Sequence, residues 1–370
     1  MQTTIAARLF RCLSIAGAIA TIILPQLPAQ AQASTPAAVT ASASAPTPVP
    51  MYQGADRAQR LIAGAKREGT LTVYTSMAAK DSAQIVSGFE KKYGIKVALW
   101  RAGKQTVLQR VLTEARARHN EVDLITLPSP EMEALHREQL LQPAFSPLQQ
   151  ELIPVALPAH REWVGTRANV YVQVYNTQKI SRDELPRTYE DLLDPRWKGK
   201  LGIEAKGQEW FYVLLQTMGE EKGLRFFQEL VAKNGVSVRS GMTLLSNMIA
   251  SGEVPFGLTV YSYLAEQSKA RGAPVDFITL SPTVAHTDGI GISRNTPHPY
   301  AAMLFYDYLL SDGQRMVAAG HGLTTNRRDE AALARFNPTF IDPALLLDHL
   351  EKWTQMYNDT LQGRTPAAKP

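Results

Sequence analysis

Apolar positions recur with two different periods along this chain, and the period at each place predicts the element there. Ala58, Leu61, Ile62 and Ala65 repeat at helical spacing and stop at Gly69, which predicts a helix ahead of the first strand. Leu71 to Tyr74 then reads as a strand, about Asp81 to Tyr93 as a helix, and Ile95 to Trp100 as a second strand after Gly94. Gln105 to Arg118 is predicted helical, with Val107, Leu108, Val111, Leu112 and Ala115 on one face, and Val122 to Leu127 is a third, continuously apolar strand. Apolar strands alternating with amphipathic helices indicate a sheet covered on both faces.

Beyond Pro158 the alternation restarts. Strands are predicted at Val170 to Tyr175 and Lys200 to Ile203, and helices at about Gln208 to Met218 and Glu221 to Lys233. Val236 to Arg239, a helix over Leu244 to Ala250, a strand at Val254 to Val260 and a helix from Ser262 to Ala270 complete a second α/β lobe, closed by Gly272-Ala273-Pro274. Strands at Val275 to Leu280 and Gly289 to Ser293 lead into a helix at Pro299 to Leu310, with further helical segments to about Leu361.

Composition narrows the setting. At 370 residues and 45% hydrophobic the chain is long enough for two cores. Residues 1–31 carry Arg8 and Arg11, no acid, an apolar run from Leu13 to Leu24, a break at Pro25 and the small-residue site Ala29-Gln30-Ala31, the pattern of a cleaved export signal. No later stretch reaches the roughly 20 apolar residues of a membrane helix, so the mature chain is expected to be soluble. Cys12, the sole cysteine, lies inside the signal, so the mature chain is expected to hold no disulfide, thiolate metal site or cysteine nucleophile. Residues 32–50 are uncharged and rich in Ala, Ser, Thr and Pro, and read as a disordered tether. Without the signal, 37 basic residues face 34 acidic ones, too even a balance for nucleic-acid binding.

An ordered set of segments carries a family resemblance. It runs GTLTVYTS (Gly69 to Ser76), FEKKYGIKV (Phe89 to Val97), WRAGKQTVLQRVLTEARA (Trp100 to Ala117), VYNTQKI (Val174 to Ile180) and LPRTYEDLLDPRWKGKLGI (Leu185 to Ile203). It continues with SGEVPFGLTVYSYLAEQ (Ser251 to Gln267), GAPVDFI (Gly272 to Ile278) and HPYAAMLFYDYLLSDGQ (His298 to Gln314). Together these resemble the periplasmic solute-binding proteins of ABC importers, in the group related to ferric-iron-binding proteins. The resemblance implies a two-lobed type II α/β fold, each lobe a mixed sheet flanked by helices, with the ligand in the cleft between them. It implies a first lobe of residues 51–170 with 277–325, a second of 171–276, and a C-terminal helical segment of 326–370. Crossovers are expected near Val170 to Tyr175 and Phe277 to Ile290.

In such lobes ligands sit beyond strand ends, where helix N-termini offer free N–H groups. Thr75 and Ser76 follow the first strand and suit an anion oxygen, although Ser76 or Asp81 also serves as a helix cap. Arg101 after the second strand is the best anion candidate, against a surface arginine lying over Trp100. Ser129 after the third strand offers a hydroxyl or turn chemistry. In the second lobe Glu209 and Trp210 stand in the first turn of a helix, where an acid also suits the dipole and a tryptophan also suits the core; Lys206 adds cationic character. Tyr261 and Tyr263 occupy the position that supplies iron-binding phenolates in ferric-binding relatives, which the resemblance extends to Fe(III) held with carbonate or a similar anion on Arg101 and Ser76. Two departures from the family pattern are plain: Ser262 separates the tyrosines, and Met77-Ala78-Ala79 replaces the histidine common in the first loop.

The seven histidines are dispersed, which suggests no zinc site, while His286-Thr287-Asp288-Gly289 after the return crossover is placed to reach the cleft. The motifs of a nucleophile elbow, P-loop or dinucleotide fold are absent, so no enzyme is expected. The expected function is therefore periplasmic capture of a small solute, Fe(III) first, by hinge closure and delivery to an inner-membrane ABC permease, by a monomer needing no cofactor. A small organic anion, phosphonate or polyamine is the alternative solute, and an enzyme or receptor-coupled sensor the alternative role.

Overall fold

The computed structural model describes residues 47–364; the export signal and most of the tether lie outside that range. Packing begins at Val49–Met51, inside the stretch that composition assigns to the tether. Pro50 is buried there and its carbonyl accepts from Phe145 N–H at 2.8 Å.

The first lobe opens with α1 (Arg57–Glu68), β1 (Thr70–Thr75), α2 (Ala79–Tyr93), β2 (Lys96–Arg101), α3 (Lys104–Arg116) and β3 (Leu124–Pro128). Gly69 and Gly94 end α1 and α2 with φ of 74° and 73°, the left-handed backbone that glycine adopts without steric cost. Next come α4 (Ser129–Arg137), β4 (Leu141–Gln142) and the long β5 (Trp163–Asn176). The sequence pattern suggests a turn at Ser129-Pro130; instead these residues start α4, because proline is well suited to a first helical turn.

The second lobe contains β6 (Leu201–Glu204), α5 (Gln208–Met218), α6 (Glu220–Asn234), β7 (Ser237–Arg239), α7 (Met242–Ser251), β8 (Phe256–Tyr261), α8 (Ser262–Ala270) and β9 (Val275–Ile278). Then β10 (Val284–Ser293), α9 (Pro299–Tyr308), α10 (Gln314–Ala319) and β11 (Leu323–Thr324) return to the first sheet. The chain closes with α11 (Glu330–Ala334), β12 (Thr339–Phe340), α12 (Pro343–Asp348) and α13 (Leu350–Leu361). This last stretch is not purely helical: β12 pairs β10, α12 packs on α4, and α13 packs on α5 and α6.

Strand order along the sheets is β2-β1-β3-β10-β5-β8-β6-β7. β1 runs parallel to β2 and β3, whereas β10 is antiparallel to β3 and β5, so the sheet is mixed. β5 belongs to both lobes. Its first half, through Val170, pairs β10, and from Tyr171 onward it pairs β8 and β9. All 14 of its residues are buried, and the 10 of β10 as well, which is why these two strands form a fixed floor under the cleft.

Large apolar side chains fill both lobes. Phe89 and Phe305 meet edge to face at 4.9 Å in the first, and Trp197 packs against Phe256 at 4.9 Å in the second. Phe256 is fully buried, so Phe256→Ala should cost about 3–5 kcal/mol through lost transfer energy plus a cavity; urea unfolding is expected to show a lowered midpoint of that size.

Candidate functional site

The cleft floor follows from strand register. Arg167, Asn169 and Tyr171 alternate along β5 and so share one face, and across the ladder His286 stands opposite Asn169 and Asp288 opposite Arg167. A register shift between Asp288 and Gly289 marks a bulge beside this pair, a device that re-aims side chains. Arg167 Nε donates to Asp288 Oδ2 at 2.7 Å, its guanidinium lies 3.5 Å from Asp81, and it sits 5.2 Å over the Tyr263 ring. Burial pushes the Asp288 carboxyl up, but Arg167 and His286 outweigh it and hold the group below its ordinary range.

Lys104 is the central charge. It occupies the first position of α3, reaches Glu131 of α4 at 3.2 Å, and pairs with Glu209 of α5 across the cleft. Burial lowers its proton affinity, yet the two carboxylates reverse this and keep it charged. The two acids then differ. Burial pushes Glu131 up to about 7, and its Oε2 has no hydrogen-bond partner among the described residues. Glu209 feels the same burial but is held below the ordinary range by Lys104 and His286. One ammonium balances one carboxylate, so the second favours its neutral form.

Aromatic hydroxyls close the apex. Tyr171 Oη donates to Glu209 at 3.5 Å, and Tyr261 Oη shares a 3.0 Å hydrogen bond with His286 Nε2. Tyr261 ends β8 and Tyr263 stands in the first turn of α8, and their rings stack at 6.1 Å and 18° despite the intervening Ser262. Burial raises the pKa of Tyr171, Tyr261 and Tyr263 alike, which opposes phenolate formation.

Above this floor lies a cavity of about 470 Å³. Ser76, Arg101 and Lys206 line it with the N-terminal ends of α3 and α7. Arg101 Nε donates to Met77 O at 2.6 Å, which fixes the guanidinium, and among the described residues neither Arg101 nor Lys206 has a carboxylate within ion-pair distance. Glu204 is engaged by the N–H of Gly241 at 2.9 Å, at the start of α7.

Of the residues the sequence singles out, Ser76, Arg101, Tyr261 and Tyr263 line the cavity, and Glu209 lies just beneath it. Thr75, Ser129 and Trp210 do not. Thr75 Oγ1 accepts from Met77 N–H at 3.0 Å and from Thr126 at 2.6 Å, which uses the hydroxyl inside the loop. Ser129 is buried where α4 begins, and Trp210 is fully buried against Tyr189 and Phe227 in the second core. Lys104, Glu131, Arg167, Asn169 and Tyr171 are additions from the structure. Two signals bear on Lys104 and the β5 residues once the elements are known: a lysine in a first helical turn opposes the dipole, and polar residues at every second position interrupt an otherwise apolar strand.

The profile of bacterial extracellular solute-binding proteins matches residues 122–338, more than half of the chain. The chain belongs to that family. Among its relatives is the Fe(3+)-binding periplasmic protein of Serratia marcescens, 26% identical over 271 residues, covering 69% of this chain and 77% of that one. Iron-bound HitA from Pseudomonas aeruginosa superposes with a TM-score of 0.70 at 21% identity, over 79% of this chain and 99% of HitA. AfuA from Actinobacillus pleuropneumoniae, solved with fructose-6-phosphate, superposes with a TM-score of 0.63 at 19% identity, over 80% and 95%. The family member described here is thus a two-lobed type II binding protein of the group related to ferric-binding proteins.

Two outcomes follow from the buried triad of this solute-binding protein. Lys104→Met leaves Glu131 and Glu209 without their ammonium and should destabilise the fold by about 3–5 kcal/mol in urea unfolding, with partial recovery in Lys104→Met/Glu209→Gln. Glu131, at about 7 folded against an ordinary 4.5, favours the folded state below pH about 4.5, and that advantage is lost as pH rises through about 7. The stability of the protein relative to Glu131→Gln should therefore fall as pH rises across that window, read as a falling urea midpoint.

Proposed function

We propose that this chain is an exported, periplasmic solute-binding component of an ABC importer, that it captures a small multiply charged anion in its cleft, and that closure of its lobes presents the anion to a membrane permease. The observation that carries this reading is the charge balance. Among the described residues Lys104 pairs with Glu209 and leaves Glu131 to its neutral form, Arg167 pairs with Asp288, and Glu204 takes the Gly241 N–H in place of a cation, while Arg101 and Lys206 face the cavity with no carboxylate within ion-pair distance. A fixed guanidinium fork, an ammonium and helix N-terminal N–H groups suit carboxylate or phosphate oxygens. Asn169 Oδ1 and Asp288 Oδ1 are buried without hydrogen-bond partners among the described residues, which favours a solute that also carries hydroxyl or amine donors. The fructose-6-phosphate of AfuA is a solute of that kind. Non-covalent capture needs no enzymatic group, and the family membership supports a binding role.

A second reading, Fe(III) held by Tyr261 and Tyr263 with a synergistic anion, is favoured by the gathering of Tyr171, Tyr261, His286 and Glu209 and by the name of the Serratia relative. It requires the Lys104 ammonium to leave Glu209 and the buried phenols to lose their protons.

Calorimetry of ligand-stripped protein against inorganic phosphate, citrate and fructose 6-phosphate tests the first reading. Binding of at least one of them is expected, weakened about tenfold or more by Arg101→Ala. Titration with ferric citrate, followed by visible absorption, tests the second. A phenolate-to-iron band in the wild type, lost in Tyr261→Phe, together with no anion isotherm, would replace the anion reading with iron; silence in both titrations would sink both.

A further inference from the structure

Outside the cleft, α4 presents a second constellation. Glu131 turns toward Lys104, but Glu133 and His136, two and five residues further on, leave the helix on another side. They meet His160, in the turn before β5, in an arrangement that sequence spacing alone does not show. The His136 and His160 rings stack at 3.6 Å and 10°, and one nitrogen of each lies within 4.8 Å of the other and of a Glu133 carboxylate oxygen.

We propose that Glu133, His136 and His160 bind one divalent first-row transition ion of the zinc type. Two imidazoles and one carboxylate are a recurrent zinc donor set that leaves a fourth position for water. His160 Nε2 lies 3.3 Å from Glu133 Oε2, close to the separation of two donors on a tetrahedral ion with bonds of about 2.0–2.1 Å. Glu162 Oε2 holds His136 Nδ1 at 2.8 Å, the carboxylate–imidazole pairing that orients a metal-binding histidine and leaves Nε2 for the ion. The side chains of Glu133, His136 and His160 are 11%, 28% and 21% exposed, so an ion reaches them from solvent.

Neighbouring contacts set the strength of the site. Trp163 Nε1 also donates to Glu133 Oε2 at 3.3 Å, Arg137 lies 3.8 Å from Glu133, and Arg294 lies 3.6 Å from Glu162. The N–H of Glu162 donates to His160 Nδ1 at 3.1 Å, so the proton of the neutral ring sits on Nε2, facing Glu133. An ion at Nε2 displaces that proton to Nδ1 and the ring gives up the amide contact. This exchange keeps the affinity below that of a fully buried structural site.

The test is equilibrium dialysis of EDTA-treated protein against zinc sulfate, with cobalt chloride absorption reporting the coordination. One zinc per chain is expected, with intensified cobalt bands. His136→Ala and His160→Ala should each weaken zinc binding more than tenfold, and Glu162→Gln about tenfold by loosening His136. The same variants should keep the thermal midpoint and the anion titration of the cleft. Absence of bound zinc in the wild type, or unchanged stoichiometry in His136→Ala/His160→Ala, would overturn the site.

Discussion

The pairing of β5 with β10 is the constraint on which the rest of the protein depends. Both strands are buried along their whole length, and β5 contributes its first half to one sheet and its second half to the other. A strand buried on both faces cannot slip by one residue without sending its polar side chains into a core. The ladder therefore fixes Arg167 opposite Asp288 and Asn169 opposite His286, and it holds Tyr171 at the point where the strand passes between lobes. Buried backbone beneath the cleft keeps these polar groups at a fixed spacing.

Charge compensation is the second organising rule. Glu131, Glu209, Arg167, Asp288 and His286 are buried, and Lys104 and Tyr261 half-buried, within one connected region. Such groups are tolerated only when paired. Lys104 holds Glu209 charged while Glu131 beside it favours its neutral form, and because Glu209 belongs to the opposite lobe the same ion pair ties the lobes together.

The elements were largely legible from hydrophobic period. β1, α2, β2, α3 and β3 stand within a few residues of where alternation puts them, since each buries a face of its own. The starts of β5 and β10 were hidden: the sequence reading opens them at Val170 and Gly289, whereas the structure begins them at Trp163 and Val284. Their added residues, Arg167, Asn169, His286 and Asp288, are polar, and polarity in a local window reads as loop even when partners across a ladder satisfy it. Loop positions after strands were easier, because a helix N-terminus beyond a strand end is a local feature; Arg101, Ser76, Tyr261 and Tyr263 were found that way.

By itself the sequence determined the two-lobed α/β class, the family resemblance and the loops that face the cleft, because these depend on near-neighbour periodicity and on segments that are contiguous in the chain. Only the tertiary structure decided which charges meet. Lys104 and Glu209 are 105 residues apart, Arg167 and Asp288 are 121, and Glu133 meets His160 from 27 away. No local rule carries such distances: burial removes water from all these groups at once, and only the folded geometry shows which partner takes its place.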